Sequence, residues 1–123
     1  MKTMSMAQKI SSVLQEIAHP ARIAILLSIG REEACVCHLE AKIGKRQAYI
    51  SQHLMALRDA GILLARREGR FVFYSLRDPM LLGLIELAAQ IENIDISGIP
   101  SSAACSCPAC APQTGRQAAY ASE

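Results

Sequence analysis

The sequence predicts a mainly α-helical domain closed by one small β-hairpin, an α+β class, and three observations carry that reading. Apolar residues recur at helical spacing through most of residues 6–57, the period changes to alternation around Phe71–Tyr74, and helical spacing returns after Pro79. At 123 residues there is room for one domain, and 51% apolar content against 20% charge supplies a packed core rather than a disordered chain. With no Trp, two Phe and three Tyr, that core is expected to be aliphatic.

Met6, Ile10, Val13, Leu14 and Ile17 predict a first helix from about Met4 to Ala18. His19-Pro20 ends it, because the residue before proline avoids the helical region, and His19 is expected to make a local hydrogen bond there. Pro20 suits the first turn of a second helix, with Ile23, Leu26 and Leu27 buried and Gly30 as its stop. A short helix follows around Cys37 to Ile43, ending at Gly44. The next, from about Arg46 to Ala60, carries Ile50, Leu54 and Leu57 as one apolar stripe. Its remaining positions Gln47, Tyr49, Ser51, Gln52 and His53 are polar or amphipathic and cannot all be core. A short helix, a glycine turn and a longer helix with a hydrogen-bonding face form a helix-turn-helix pattern.

Leu63–Arg67 and the alternating Phe71, Val72, Phe73 and Tyr74 then predict two strands, joined by a tight turn at Glu68-Gly69. Arg66, Arg67 and Arg70 flank that turn, so its tip is cationic. A basic hairpin after a helix-turn-helix is a wing, and the predicted architecture is a winged helix-turn-helix. Asp78-Pro79 opens a last helix from Met80 to about Asn93, with Asp78 as N-cap. Leu81, Leu82, Leu84, Ile85, Leu87, Ala88 and Ile91 cover more than one of its faces, so it needs burial on two sides. A second copy of the chain is the simplest second surface, and a two-fold homodimer through the first and last helices is predicted.

Charge is informative in its distribution. The net charge is only +2, but from Lys42 to Arg77 eight basic residues face two acidic ones. A basic patch confined to one segment is the electrostatic footprint of nucleic-acid binding; the competing reading is an ordinary solvated face. The sequence contains no phosphate loop, no Ser/His/Asp grouping and no paired-carboxylate motif, which argues against an enzyme. The N-terminus lacks an apolar run of signal-peptide length, and no stretch has the length of a membrane helix, so the expected location is cytoplasmic with no membrane partner. Five cysteines in that setting read as thiols or metal ligands rather than a disulfide framework.

Residues 1–94 form the predicted DNA-binding and dimerisation domain. Residues 95–123, rich in Ala, Ser, Pro and Gly, read as a flexible tail whose distinctive feature is Cys105, Cys107 and Cys110.

At this point the segments IAHPARIAIL, ACVCHLEAKIG, QAYISQHLMALRDAGIL and REGRFVFYSL, in that order, resemble the ArsR/SmtB family of metal-responsive bacterial repressors. The resemblance spans about Ile17 to Pro79. It implies a homodimer on palindromic double-stranded operator DNA, each recognition helix in a major groove, released when an inducer binds. Carried over, Gln47, Tyr49, Ser51, Gln52 and His53 fall on base- or backbone-facing positions, and Lys45 and Arg46 where phosphate contacts begin. Arg66, Arg67 and Arg70 would meet phosphates or the minor groove. Many members have Ser where this chain has Arg46, so the first helical turn is expected to differ.

Cys35 and Cys37 stand where several members place thiolate ligands. Thiolates select As(III), Sb(III), Cd(II), Pb(II), Cu(I) or Zn(II) over hard cations. Residues two apart on a regular helix point about 200° apart, so joint coordination requires an irregular helix start. The third cysteine of arsenic-sensing relatives is replaced here by Glu40, and residues 1–34 hold no cysteine. An extended chain from Ile94 to Cys105 reaches about 36 Å at roughly 3.3 Å per residue. Cys105, Cys107 and Cys110 could therefore complete a site with Cys35 and Cys37 in either subunit. As(III)/Sb(III) is favoured over Cd(II)/Pb(II)/Zn(II), with no organic cofactor. Three readings stay open beside this one: buried core thiols, an independent tail site, and a thiol redox switch. The zinc, cobalt or nickel site of the last helix found in other members needs His, and Met80 to Asn93 has none.

Overall fold

The computed structural model describes residues 2–96, with side chains from Ser5 onward. Within them the order is α1 (Lys2–Ile17), α2 (Pro20–Ile29), β1 (Ala34–Cys35), α3 (Val36–Ile43), α4 (Gln47–Asp59), β2 (Leu63–Glu68), β3 (Phe71–Leu76) and α5 (Met80–Ile91). The architecture is the predicted winged helix-turn-helix with one addition. The hairpin gains a third strand, β1, giving an antiparallel sheet in the order β1-β3-β2.

Local chemistry explains the boundaries. His19 is extended, its Nδ1 accepts the Ala21 N–H at 3.1 Å, and Pro20 starts α2. Gly44, at φ +80°, closes α3 in the left-handed region and sets the turn into α4. Arg46 caps α4 with no side-chain hydrogen bond, so the first turn does lack the cap a serine would give. Asp78 accepts the Met80 N–H at 3.0 Å through Oδ1 and so caps α5 from one residue outside Pro79. That last helix stops at Ile91, two residues early, because Asn93 turns left-handed at φ 58° and Ile94 N–H closes back on the Ala89 carbonyl.

Two expectations needed correction. The hairpin turn sits on Gly69-Arg70 rather than Glu68-Gly69, since Glu68 still pairs with Phe71. Gly69 at φ +63° supplies the positive φ that such a turn requires at its first central position. In α2 the buried residues are Ile25, Leu26, Ser28 and Ile29, while Ile23 and Leu27 pack at the margin. The helix is contacted by α3, α4, β3 and α5, so its buried arc is wider than one stripe suggests.

Ile50, Leu54 and Leu57 fasten α4 to Ile25, Leu26, Ile29 and Leu39. That core is largely aliphatic, as expected, but Phe73 and Tyr74 are also buried. Outside it, α1 and α5 remain uncovered: Met6, Ile10, Val13 and Leu14 on one, and Met80, Leu84, Leu87 and Ile91 on the other, are exposed. No described helix is long and apolar enough to cross a membrane.

Candidate nucleic-acid interface and thiol pair

With Ile50, Leu54 and Leu57 facing inward, a turn of about 100° per residue aims Ala48, Gln52 and Met55 outward. All three are exposed, with Gln47 and Ser51 along one border and Tyr49 and His53 along the other. Exposed Lys45 and Arg46 precede the helix, and Lys45 Nζ lies 5.7 Å from the centroid of the Tyr49 ring. His53 is less outward than its neighbours. Its Nδ1 accepts Arg22 Nε–H at 3.1 Å, and its ring lies 4.5 Å from His19 and 4.9 Å from Tyr49.

The wing arginines divide in two. Arg66 donates to both carboxylate oxygens of Glu33, at 2.9 and 2.7 Å, and to Glu68 at 2.7 Å. Its guanidinium also stacks 4.9 Å from the Phe73 centroid, and these carboxylates raise its pKa further. In return the Arg66 hydrogen bond holds the Glu33 carboxyl below its ordinary range. Arg67 and Arg70 have no described ion-pair partner and stand exposed on the hairpin. The basic segment is thus thinner than its count implied. Lys42 Nζ is buried without a described partner, burial lowers its pKa, and Arg58 lies 3.5 Å from Asp59.

Cys35 ends β1 and is also the residue before α3, at φ −88° and ψ 168°. That extended cap provides the irregular helix start, and it brings Cys35 Sγ to 3.1 Å from Cys37 Sγ. Cys35 is buried against Phe73, while Cys37 and Phe71 are half-buried beside them. Register places Cys35 of β1 opposite Phe73 of β3, and Phe73 opposite Arg66 of β2. One row therefore crosses the sheet from the thiols to the wing. Among the described residues no third His, Cys, Asp or Glu joins the pair to hold a metal. Cys105, Cys107 and Cys110 lie outside the described residues.

Residues 19–63 match the model of the bacterial regulatory protein family arsR. The chain is 40% identical over 80 residues to the biofilm growth-associated repressor of Agrobacterium fabrum, covering 65% of this chain and 68% of that protein. This chain belongs to the ArsR/SmtB family. It is also 40% identical over 82 residues to an arsenic resistance transcriptional regulator of Pseudomonas putida, covering 60% and 64% of the two chains. Its fold superposes on the crystal structure of NolR from Sinorhizobium fredii with a TM-score of 0.68 at 28% identity, covering 76% of this chain and 94% of that one. The ArsR/SmtB chain is accordingly a DNA-binding transcriptional regulator, not an enzyme.

Within this ArsR/SmtB regulator, Lys45, Arg46, Gln47, Tyr49, Ser51, Gln52, Arg67 and Arg70 project from α4, its leading turn and the hairpin. Sequence reasoning missed three residues that organise the surface: Arg22, Glu33 and Phe73. Arg22 and His53 are 31 positions apart, and Glu33 and Arg66 are 33 apart. Neither pairing leaves a local signal. Phe73 was legible as part of an alternating strand, but its place between Cys35 and Arg66 was not.

Proposed function

We propose that the chain is a cytoplasmic repressor that binds a palindromic operator as a homodimer and lets go when a thiophilic metal or metalloid occupies Cys35 and Cys37. As(III) or Sb(III) is favoured over Cd(II), Pb(II) or Zn(II). The carrying observation is the 3.1 Å separation of the two sulfurs at the entry to the helix-turn-helix. Two thiolates on one tetrahedral Zn(II), each bonded at about 2.3 Å, would lie about 3.8 Å apart, so the pair needs only a small opening to share an ion. Cys105, Cys107 and Cys110 would supply the further donors, from the same or the partner subunit. The name of the Pseudomonas putida relative supports the metalloid preference.

Dimerisation is supported by the uncovered apolar faces of α1 and α5. Burying one such side chain contributes roughly 1.5–3 kcal/mol, and both faces repeat across a two-fold axis. On DNA, the two copies of α4 would enter successive major grooves, with Gln47, Ser51 and Gln52 reading base edges. Tyr49 and His53 would border that face, Lys45 and Arg46 would bind phosphates, and Arg67 and Arg70 would extend the contact from the wing. Arg66, committed to Glu33 and Glu68, would shape the wing rather than add free charge. Release then follows the sheet row: an ion seated between the sulfurs spreads Cys35 from Cys37, presses on Phe73, and so would shift the strand pairing that carries Arg66.

The test is an anaerobic operator titration with As(III), Sb(III), Cd(II), Pb(II) and Zn(II), following thiolate-to-metal absorbance in parallel. Cys35→Ser and Cys37→Ser should each still bind DNA but no longer release it. Normal release by both variants would reject the thiol pair as the sensing site. A second reading rests on the same distance. The sulfurs are about 1 Å outside disulfide bonding length, so a two-electron oxidant could join them, with both thiol protons lost. Release by peroxide without metal, reversed by dithiol, would favour it.

A further inference from the structure

The corner where α1 meets α2 carries a polar cluster that neither metal sensing nor base reading requires. Arg22, on α2, donates from Nη1 to the Glu16 carbonyl at 2.8 Å and to Glu16 Oε1 at 3.1 Å, and from Nε to His53 Nδ1 at 3.1 Å. One guanidinium thus joins the end of α1, the start of α2 and the middle of α4. An imidazole nitrogen that accepts from a guanidinium must be unprotonated, because Arg has donors only. His53 is therefore neutral, with its proton on Nε2. His19 adds a similar constraint, since its Nδ1 accepts from the Ala21 N–H while its ring rests 4.5 Å from His53.

We propose that Arg22 is a positioning residue for DNA reading: its hydrogen bond to His53 ties the recognition helix α4 to the α1–α2 corner, and protonation of His53 unties it. The imidazolium has no lone pair for Arg22 and would stand as a second cation against the first. The groups around His53 are Arg22 and His19 from α2 and its cap, Glu16 of α1 behind Arg22, and Tyr49 with Lys45 above it on the α4 side. Glu16 is engaged by Arg22 and does not neutralise the new charge directly. Burial, then His19, then Arg22 lower the pKa of His53, so the tie is intact at neutral pH. A histidine whose folded pKa is depressed contributes its stabilisation above the ordinary value, and loses it as pH falls through the lowered one. Because α1 also carries the exposed apolar face, the same joint links the arm of the proposed dimer to the helix that reads DNA.

The sign of the effect distinguishes this role from direct contact. A histidine that simply met a phosphate would bind DNA more tightly when charged. The test uses the full-length protein and a duplex selected for binding from a random pool at about pH 7.5, with affinity followed by fluorescence anisotropy down to about pH 5.5. Affinity of the native chain should fall about fivefold or more across that range. His53→Gln, whose carboxamide oxygen accepts from Arg22 without titrating, should bind with one affinity throughout and more tightly than His53→Ala. Arg22→Ala should be weak at both ends. Nitrogen NMR of His53 at neutral pH should find Nδ1 unprotonated, a readout independent of whether Arg22→Ala folds. Tighter or unchanged native binding in acid overturns the proposal. So does a native-like pH profile in His53→Gln, an Nδ1–H tautomer, or loss of the profile in His19→Gln alone.

Discussion

The wing and the recognition helix are held to the domain by different chemistry. The wing is held by a row that starts at a buried thiol and passes through Phe73 to Arg66, which Glu33 and Glu68 fix from outside. The recognition helix has an apolar underside in Ile50, Leu54 and Leu57, plus one polar tie from Arg22 to His53. On the proposals above, soft ions or oxidants would address the first attachment, and protons the second. Their acid limits also differ. Arg66 holds Glu33 below its ordinary carboxylate range, and burial, His19 and Arg22 hold His53 below its ordinary imidazole range, so each attachment outlasts the pH at which its group would ordinarily take a proton.

The largest expected effect comes from cutting the wing's row at its centre. Phe73 is buried and touches both Cys35 and Arg66, so Phe73→Ala should cost about 3 kcal/mol or more in urea unfolding of the whole chain. Phe73→Leu is the sharper variant, because it keeps much of the volume and loses the ring that Arg66 stacks on. It should bind inducer metal much as the native chain does but release operator less completely, removing part of a coupling of about 1–3 kcal/mol. Equal release would show that the thiols speak to α4 through α3 instead, and the contrast between the two attachments would collapse.

Next in size is the division among the arginines. Arg67→Ala and Arg70→Ala should each weaken binding to every sequence and lower the salt slope by about one. Arg66→Ala should change the slope by much less, since two carboxylates already offset its charge. A slope change in Arg66→Ala as large as in Arg67→Ala would return Arg66 to the phosphate-binding set.

How much of this was legible in the sequence follows from the range of each interaction. The stripe Ile50, Leu54 and Leu57, the stop at Gly44 and the alternation of Phe71 to Tyr74 are local patterns, and each is present as read. The strand Ala34–Cys35 was not legible, because two residues carry no period and its pairing partner lies some forty positions away. The helix read from about Cys37 left Cys35 outside it, and the irregular start that joint coordination required is the extended Cys35 before α3. His53 was placed at a base- or backbone-facing position by the family resemblance, its polarity alone saying only that it need not be core. The position of Arg22, which turns it into a flank residue, is a tertiary fact. Exposure on α5 was inferable from apolar residues in excess of one face, and with the exposed face of α1 it is what supports the dimer.

The smallest expected effect tests whether the wing's outer anchor matters at all. Glu33→Gln removes one of the two carboxylates on Arg66 and leaves the stacked ring and Glu68 in place. Exposed ion pairs contribute little to stability, so the melting temperature should move by only about a degree or two. DNA binding is the more sensitive measure. With Glu33 neutral, less of the Arg66 charge is offset, and affinity at low salt should rise by about twofold while the salt slope steepens. Thiol-driven release should weaken in the same variant, because Glu33 lies two residues before Cys35 and carries the second connection between that strand and the wing. Tighter binding with native release would make Glu33 a charge mask only, and would leave Phe73 as the sole link from the thiols to the hairpin.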